Sequence, residues 1–170
     1  GKGDFTLSVF DMVTTTEAED FSFAYDGDVY VAHKTLKADM ILGMDLDAMK
    51  FTFKETQATL NEFTLNFNGY FAMPTDDYEM DIMFSAEDIK FKSILSLVPG
   101  MYADGFENMD TNGEFDFKGF VKGIYNENKI PAFSVHLAVR DAYVKSPDVP
   151  LPVQNISLEM LAKSESGDLK

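Results

Sequence analysis

Between Phe63 and Met73 the side chains sort strictly by parity. Phe63, Leu65, Phe67, Gly69, Phe71 and Met73 fall on one parity, and Glu62, Thr64, Asn66 and Asn68 on the other. Successive strand side chains point to opposite faces, so this stretch reads as one long strand with an apolar face and a polar face. Pro74 to Asp77 then breaks the pattern with turn-forming residues. Alternation resumes with Tyr78, Met80, Ile82, Phe84 and Ala86 opposite Glu79, Asp81 and Ser85. Two long amphipathic strands joined by a short polar loop make an antiparallel hairpin, and most of the remaining chain repeats the design.

Toward the N-terminus, Phe5, Leu7 and Val9 alternate in a first strand that ends near Met12, and Thr14 to Glu19 reads as a polar loop. Phe21, Phe23 and Tyr25 form a second strand, and Asp26-Gly27 is a tight-turn signal leading into Val29 and Val31. Leu36, Ala38, Met40, Leu42, Met44 and Leu46 share one parity in a long strand. Met49, Phe51 and Phe53 make another, and Ala58 and Leu60 a short one before the central hairpin.

One segment leaves the period of two. From Asp88, the apolar residues Phe91, Ile94, Leu95 and Val98 recur at spacings of three and four. That spacing predicts a short helix over 89–98, with Asp88 as N-cap and Pro99-Gly100 as its end. Beyond it, Phe115, Phe117, Gly119 and Val121 alternate, Tyr125 to Pro131 is a turn, and Phe133, Val135, Leu137 and Val139 alternate again. Pro147, Pro150 and Pro152 bracket an extended connector. Ile156, Leu158, Met160 and Ala162 form the last strand, with a frayed tail expected from Lys163. Phe67-Asn68-Gly69-Tyr70-Phe71 can be laid over Phe117-Lys118-Gly119-Phe120-Val121, each followed by a turn, a strand and an acidic step (Glu87-Asp88, Arg140-Asp141). Such a repeat suggests a sheet extended along one axis.

A chain of 170 residues and 19.1 kDa suits one domain, which at this size buries about 70% of its unfolded surface. The formal charge of −15 repels phosphate backbones and anionic headgroups, which argues against nucleic acid and against a basic membrane-docking patch. Cysteine is absent, so disulfides, thiolate nucleophiles and cysteine zinc sites are excluded. No segment reaches the ~20 apolar residues of a membrane helix, and no signal peptide pattern is present. Gly1 leading straight into a strand pattern reads as a cut end.

Chemistry-bearing motifs are scarce. His33 and His136 are the only histidines, and no nucleophile elbow, phosphate loop, zincin motif or dinucleotide fingerprint occurs. Asn108 to Glu114 spaces its oxygens like a calcium loop, but Gly119 stands where the bidentate glutamate belongs and a strand pattern follows. Asp45, Asp47 and the Asp76-Asp77 pair are the carboxylates best placed for acid–base work, with no motif around them. No enzyme activity, metal or cofactor is expected.

These residues therefore predict a mainly β fold: a large curved antiparallel sheet, a groove or half-barrel of long amphipathic strands, with one short helix over 89–98. The helix is too short to cover several strands running to ~30 Å at ~3.3 Å per residue. The sheet then either folds onto itself as a sandwich or barrel, or curls into a trough open to apolar guests. The face in question carries Met40, Leu42, Met44, Phe51, Phe53, Phe63, Leu65, Phe67, Phe71, Met80, Ile82, Phe84, Phe115 and Phe117.

Four stretches together resemble the AsmA-like proteins of the Gram-negative envelope, a repeating β-groove family similar to the bridge-like lipid transfer proteins. They are MKFTFKETQATLNEFTLNFNGYFAMP (49–74), FKSILSLVPGMY (91–102), GEFDFKGFVKGIYNENKIPAFSVHLAV (113–139) and LPVQNISLEMLAKS (151–164). The resemblance implies that 1–170 is a single β-rich domain from a longer, inner-membrane-anchored periplasmic chain involved in outer-membrane assembly and lipid transport. It implies phospholipid or other acyl-chain lipid along the fourteen-residue face, neighbouring β-modules of the same chain as partners, and membrane contact only through an anchor outside this segment. The alternative is a structural spacer or protein-docking β-domain with a closed core and no lipid binding.

Overall fold

The structure is a computed structural model that describes residues 8–25, 28–95, 109–148 and 150–168. Its strands are β1 (Val9–Tyr25), β2 (Asp28–Asp45), β3 (Lys50–Leu60), β4 (Phe63–Ala72), β5 (Tyr78–Lys90), β6 (Asp110–Tyr125), β7 (Lys129–Ile130), β8 (Ala132–Lys145), β9 (Val153–Ser164) and β10 (Gly167–Asp168). One short helix, α1 (Phe91–Leu95), separates β5 from β6. Eight strands form a single antiparallel sheet in the order β1-β2-β3-β4-β5-β6-β8-β9, which leaves β1 and β9 as edges rather than closing a barrel. Each of the eight pairs with the next of the eight along the chain. Most connections are therefore short and cost little loop entropy, the exception being residues 91–109 between β5 and β6.

Side chains set the turns. Asp45 Oδ1 accepts the Ala48 amide at 2.9 Å in the β2–β3 turn. Asn61 adopts φ 54°, a left-handed value asparagine tolerates, and its Oδ1 accepts the Thr35 amide at 3.0 Å. At the β6–β7 turn, Asn126 Oδ1 accepts the Asn128 amide at 2.8 Å, and its Nδ2 donates to Asp77 Oδ1 at 2.8 Å. Asp45 and Asp77, two of the carboxylates considered for acid–base work, thus hold turns together.

Several sequence expectations change for one reason, the β-bulge. Phe51–Phe53 and Ala58–Leu60 belong to one strand, β3, because the register slips between Phe53 and Thr56, while Met49 lies in the turn before it at φ 47°. The extra residue restores Thr56, Ala58 and Leu60 to the face of Phe51 and Phe53. The expected helix over 89–98 shrinks to α1. Asp88 is not an N-cap, and Ile89 and Lys90 lie in β5, paired with Phe115 and Glu114. The slip between Ala86 and Ile89 produces a three-residue spacing that imitates helical periodicity. Residues 96–98 and Pro99-Gly100 lie outside the described residues, as do Phe5, Leu7 and the Asp26-Gly27 turn. The second acidic step, Arg140-Asp141, is a bulge as well: the register slips between Val139 and Ala142, and Asp141 sits at φ 48°.

Two further corrections concern polar stretches. Thr14 to Glu19, expected as a loop, lies inside β1, paired residue for residue from Thr14↔Met40 to Ala18↔Leu36. Threonine is a good strand former, and Lys37 Nζ meets Glu17 Oε1 at 2.8 Å across the pair. The tail is not frayed at Lys163: β9 runs to Ser164, and β10 pairs with β7. Ser164↔Phe133 and Gly167↔Ile130 lie on one unbroken antiparallel register. β7 and β8 are therefore one strand interrupted at Pro131, which has no N–H to give the ladder, and β9 continues into β10 beside it.

The buried apolar core is small: Phe10, Ala72, Ala86, Phe115, Val139 and Ala142 among the described residues. Most of it lies at one end of the sheet. There Ile94 of α1 packs with Phe63, Ile89, Phe117, Leu137 and Ile156 around Phe115, Val139 and Ala142. Ser93 Oγ, donating to Glu62 Oε2 at 3.1 Å, ties the helix to the β3–β4 turn. A compact monomer of this mass exposes about 8,400 Å², whereas this chain exposes 11541 Å². The sheet is essentially one layer.

Two glycines stand opposite aromatic residues on that layer, and at Gly119 the Phe84 ring occupies the space a Cβ would take. Phe53 is opposite Gly69 and contacts Phe67 edge-on at 5.3 Å. Phe84 is opposite Gly119 and stacks on Phe117 at 5.2 Å. The Phe-x-Gly segments of β4 and β6, matched in the sequence repeat, thus occupy equivalent places. Gly69 has φ +125°, and a Cβ there would strike the Asp81 carbonyl. Gly69→Ala is expected to cost at least about 2 kcal/mol from backbone strain and that clash. Gly43→Ala, whose Cβ meets the flexible ends of Lys54 at 3.1 Å and Asp11 at 3.3 Å and the Thr52 side chain at 3.5 Å, should cost less than about 1 kcal/mol. Urea midpoints of the two variants check the contrast.

Candidate functional site

The register assigns every side chain in the sheet to one of two faces. Met44↔Phe51, Phe51↔Phe71 and Phe71↔Met80 are cross-strand pairs, as are Leu42↔Phe53, Met40↔Thr56, Thr56↔Phe67 and Phe67↔Phe84. Leu65 and Phe63 pair with Ala58 and Leu60, Ile82 with Gly69, Phe117 with Ala86 and Phe115 with Ile89. All fourteen sequence-predicted residues therefore share one face. Phe115 is buried, and the other thirteen are only partly so.

The face is wider than the sequence list. β1 adds Phe10 and Met12, and β6, β8 and β9 add Val121, Phe133, Leu137 and Met160, as their pairings require. One transverse row reads Met12, Leu42, Phe53, Gly69, Ile82, Val121, Phe133 and Ser164. Seven steps of ~4.8 Å make such a row ~34 Å long, comparable to the ~30 Å hydrocarbon thickness of a bilayer. α1 covers the end that carries Phe63 and Phe115. At the opposite end Phe71 stacks on Tyr78 at 5.7 Å, and Tyr78 meets Tyr125 at 6.3 Å. Both tyrosines are exposed.

Two polar atoms interrupt the apolar surface. Thr14 and Thr56 share the face, flanking Met40. The Oγ1 atoms of both are buried without a hydrogen-bond partner, and Thr56 is only 5% exposed. Sequence reading missed Thr56 because bulge parity hides its face, and Thr14 because its polar stretch resembles a loop.

The other face is wet and charged. Lys54 Nζ reaches across Gly43 to Asp11 Oδ1 at 2.6 Å, and Lys122 Nζ binds Asp81 Oδ2 at 2.7 Å. Arg140 pairs with Asp116 and with Glu114, while His136 Nε2 meets Glu159 Oε1 at 3.0 Å. Asp116, then Glu114, raise the Arg140 guanidinium above its ordinary pKa. The hydrogen bond to Glu17, with its charge, raises Lys37 likewise.

Two depressions mark this wet face. One of 670 Å³ crosses β1 to β5 between the side chains of Thr15, Asp39, Gln57, Asn66, Asn68 and Ser85, with the apolar Val13, Ile41 and Met83 among them. Met40, Phe67 and Phe84 lend it backbone, since the register turns their side chains away. The other, of 600 Å³, lies among Asp116, Lys118, His136, Arg140 and Glu159. The Asp110–Glu114 part of the calcium-like loop is strand β6, and Asn108 lies outside the described residues. Among the described residues no three His, Asp or Glu side chains converge as a metal set, and no helix is long and apolar enough to cross a membrane.

No protein-family model, curated protein or solved structure matches this chain.

Two predictions follow from these faces. Replacing Thr56 by valine keeps its shape and removes an unpaired buried hydroxyl, whose burial costs about 1–3 kcal/mol. T56V is therefore expected to raise the urea midpoint. On the wet face, Tyr70 donates to Glu79 Oε1 at 2.6 Å, and this bond, followed by desolvation and the Glu79 charge, raises the phenol above its ordinary 10.0. An acid whose folded pKa is raised is stabilising below the unfolded value and loses that contribution as pH climbs through the folded one. Absorbance titration of the phenolate at alkaline pH should show one tyrosine titrating late, and E79Q should bring it down.

Proposed function

We propose that this chain is a non-enzymatic lipid-contacting segment of an AsmA-like envelope protein, holding phospholipid acyl chains against the apolar face of its sheet. What supports the reading is the gathering of fourteen apolar side chains on one face that no second sheet covers among the described residues. Withdrawing an acyl chain from water is worth ~0.8 kcal/mol per methylene. Apolar attraction has no direction, so a chain lying across Phe, Met and Leu rungs can slide while its headgroup stays wet. Met40, Met44 and Met80 sit among the aromatics and can repack around guests of different shape. On this reading the domain works in the periplasm, beside further β-modules of the same chain, and membrane attachment belongs to an anchor outside this segment.

The test is displacement of a fluorescent fatty acid, together with native mass spectrometry of protein purified from a bacterial host. Saturable probe binding, competition by phospholipid and co-purified phospholipid are expected. Phe67→Glu puts a charge in the middle of the apolar face and should weaken the probe at least about tenfold, or 1.4 kcal/mol. Lys118→Glu on the wet face should leave it unchanged. Absence of both probe binding and bound lipid overturns the proposal.

A further inference from the structure

The two edges of the sheet are not alike. β1 is blunted in the usual ways: Asp11, Glu17, Glu19 and Asp20 line it, and its register slips three times between Ala18 and Ala24. β9 carries less of this protection: its one bulge lies near its start, at Asn155 (φ 58°), between Val153 and Ile156. Leu158 and Met160 on its apolar face are 52% and 46% exposed, and Leu161 on its wet face is 58% exposed. Its register with β8 is regular from Leu158 to Ser164 and resumes in β10, so a nearly straight edge strand extends to Asp168. Within β9 the only charges are Glu159 and Lys163, of opposite sign and four residues apart.

We propose that β9 is a self-pairing edge: two copies of this chain join through antiparallel β9 strands about a twofold axis at Leu161. Three independent constraints select that register. To keep the apolar faces of both copies on the same side, residues of like parity must be opposite each other. To use the regular edge from Ile156, past the bulge at Asn155, to Asp168, the axis must fall close to Leu161 or Ala162. To pair the charges, Glu159 of each copy must oppose Lys163 of the other, which places Leu161 against its own symmetry mate. Moving the axis to Met160 sets Lys163 opposite Ser157, and moving it to Ala162 sets Glu159 opposite Glu165. The chosen register also sets Met160 beside Ala162 and covers the exposed leucine on the wet face. A strand that pairs with its own copy satisfies the backbone groups an open edge leaves to water, and a twofold contact closes after two subunits. The result is one continuous sheet with a doubled apolar face. This assembly does not depend on the lipid reading and is measured without lipid.

The chain contains no cysteine, so single cysteines report the register directly. Light scattering should give about twice 19.1 kDa for the unmodified chain. L161C should be oxidised rapidly to a covalent dimer. L158C, held apart from its mate by six residue pairs of ~3.4 Å, should be oxidised far more slowly. Lys163→Glu should raise the dimer dissociation constant at least tenfold. The double exchange E159K/K163E should restore it, which separates pairing from any folding defect of the single variant. A chain that remains monomeric overturns the proposal. So does a dimer that Lys163→Glu leaves intact, equal crosslinking at 158 and 161, or a ladder of higher oligomers, which would mean head-to-tail joining of β9 to β1.

Discussion

A strand cannot place two consecutive side chains on the same face, and the rest of this structure follows from how the chain lives with that constraint. Apolar residues must be collected on one side of eight strands, yet the sequence contains runs whose parity does not fit. Each misfit is absorbed by a bulge: after Phe53 in β3, after Ala86 in β5, at Asp141 in β8 and at Asn155 in β9. Without the slip after Phe53, Thr56, Ala58 and Leu60 would turn to the wet face and split the apolar row from Met40 to Phe67. The bulges therefore maintain the face that carries the functional reading.

A single layer gives up most of what a closed core contributes. Fully burying a large apolar side chain stabilises by roughly 1.5–3 kcal/mol, and thirteen of the fourteen candidates keep part of their surface in water. The sheet recovers some of this laterally. Phe84 lies over the Gly119 backbone, and Phe67 and Phe117 pack against the rings of Phe53 and Phe84, so aromatic contacts within the layer take the place of contacts between layers. The lateral arrangement leaves the upper surfaces of these rings free, which is the condition an apolar guest needs.

How much of this could be read from the residues depended on parity. Where alternation was uninterrupted, as from Phe63 to Phe84, strand, hairpin and face were all legible, and the fourteen face residues were drawn from such runs. Where a bulge intervened, reading failed in a predictable direction. Lys54-Glu55 divided β3 into two apparent strands, and Glu87-Asp88 made the end of β5 look like the first turn of a helix. Thr14 to Glu19 was misread for a different reason. Its strand character comes from pairing with Leu36–Met40, a non-local fact that composition does not carry. The edge formed by β9 and β10 was equally hidden, because polar Ser164 to Asp168 resembles a tail until Lys129–Ile130 is set beside it.

The wet face explains how so open a molecule can carry a formal charge of −15 without tearing its own strands apart. The cations are spent across strands rather than along them: Lys37 on Glu17, Lys54 on Asp11, Lys122 on Asp81, Arg140 on Glu114 and Asp116. Pairs this exposed are each worth only about 0–1 kcal/mol, so they are weak as staples. Their placement does more. Lys37, Lys122 and Arg140 each stand directly opposite an acid on the neighbouring strand, where a like charge would be destabilising, and Lys54 reaches across β2 to Asp11. The excess acid is left at turns, along β1 and at the sheet margin.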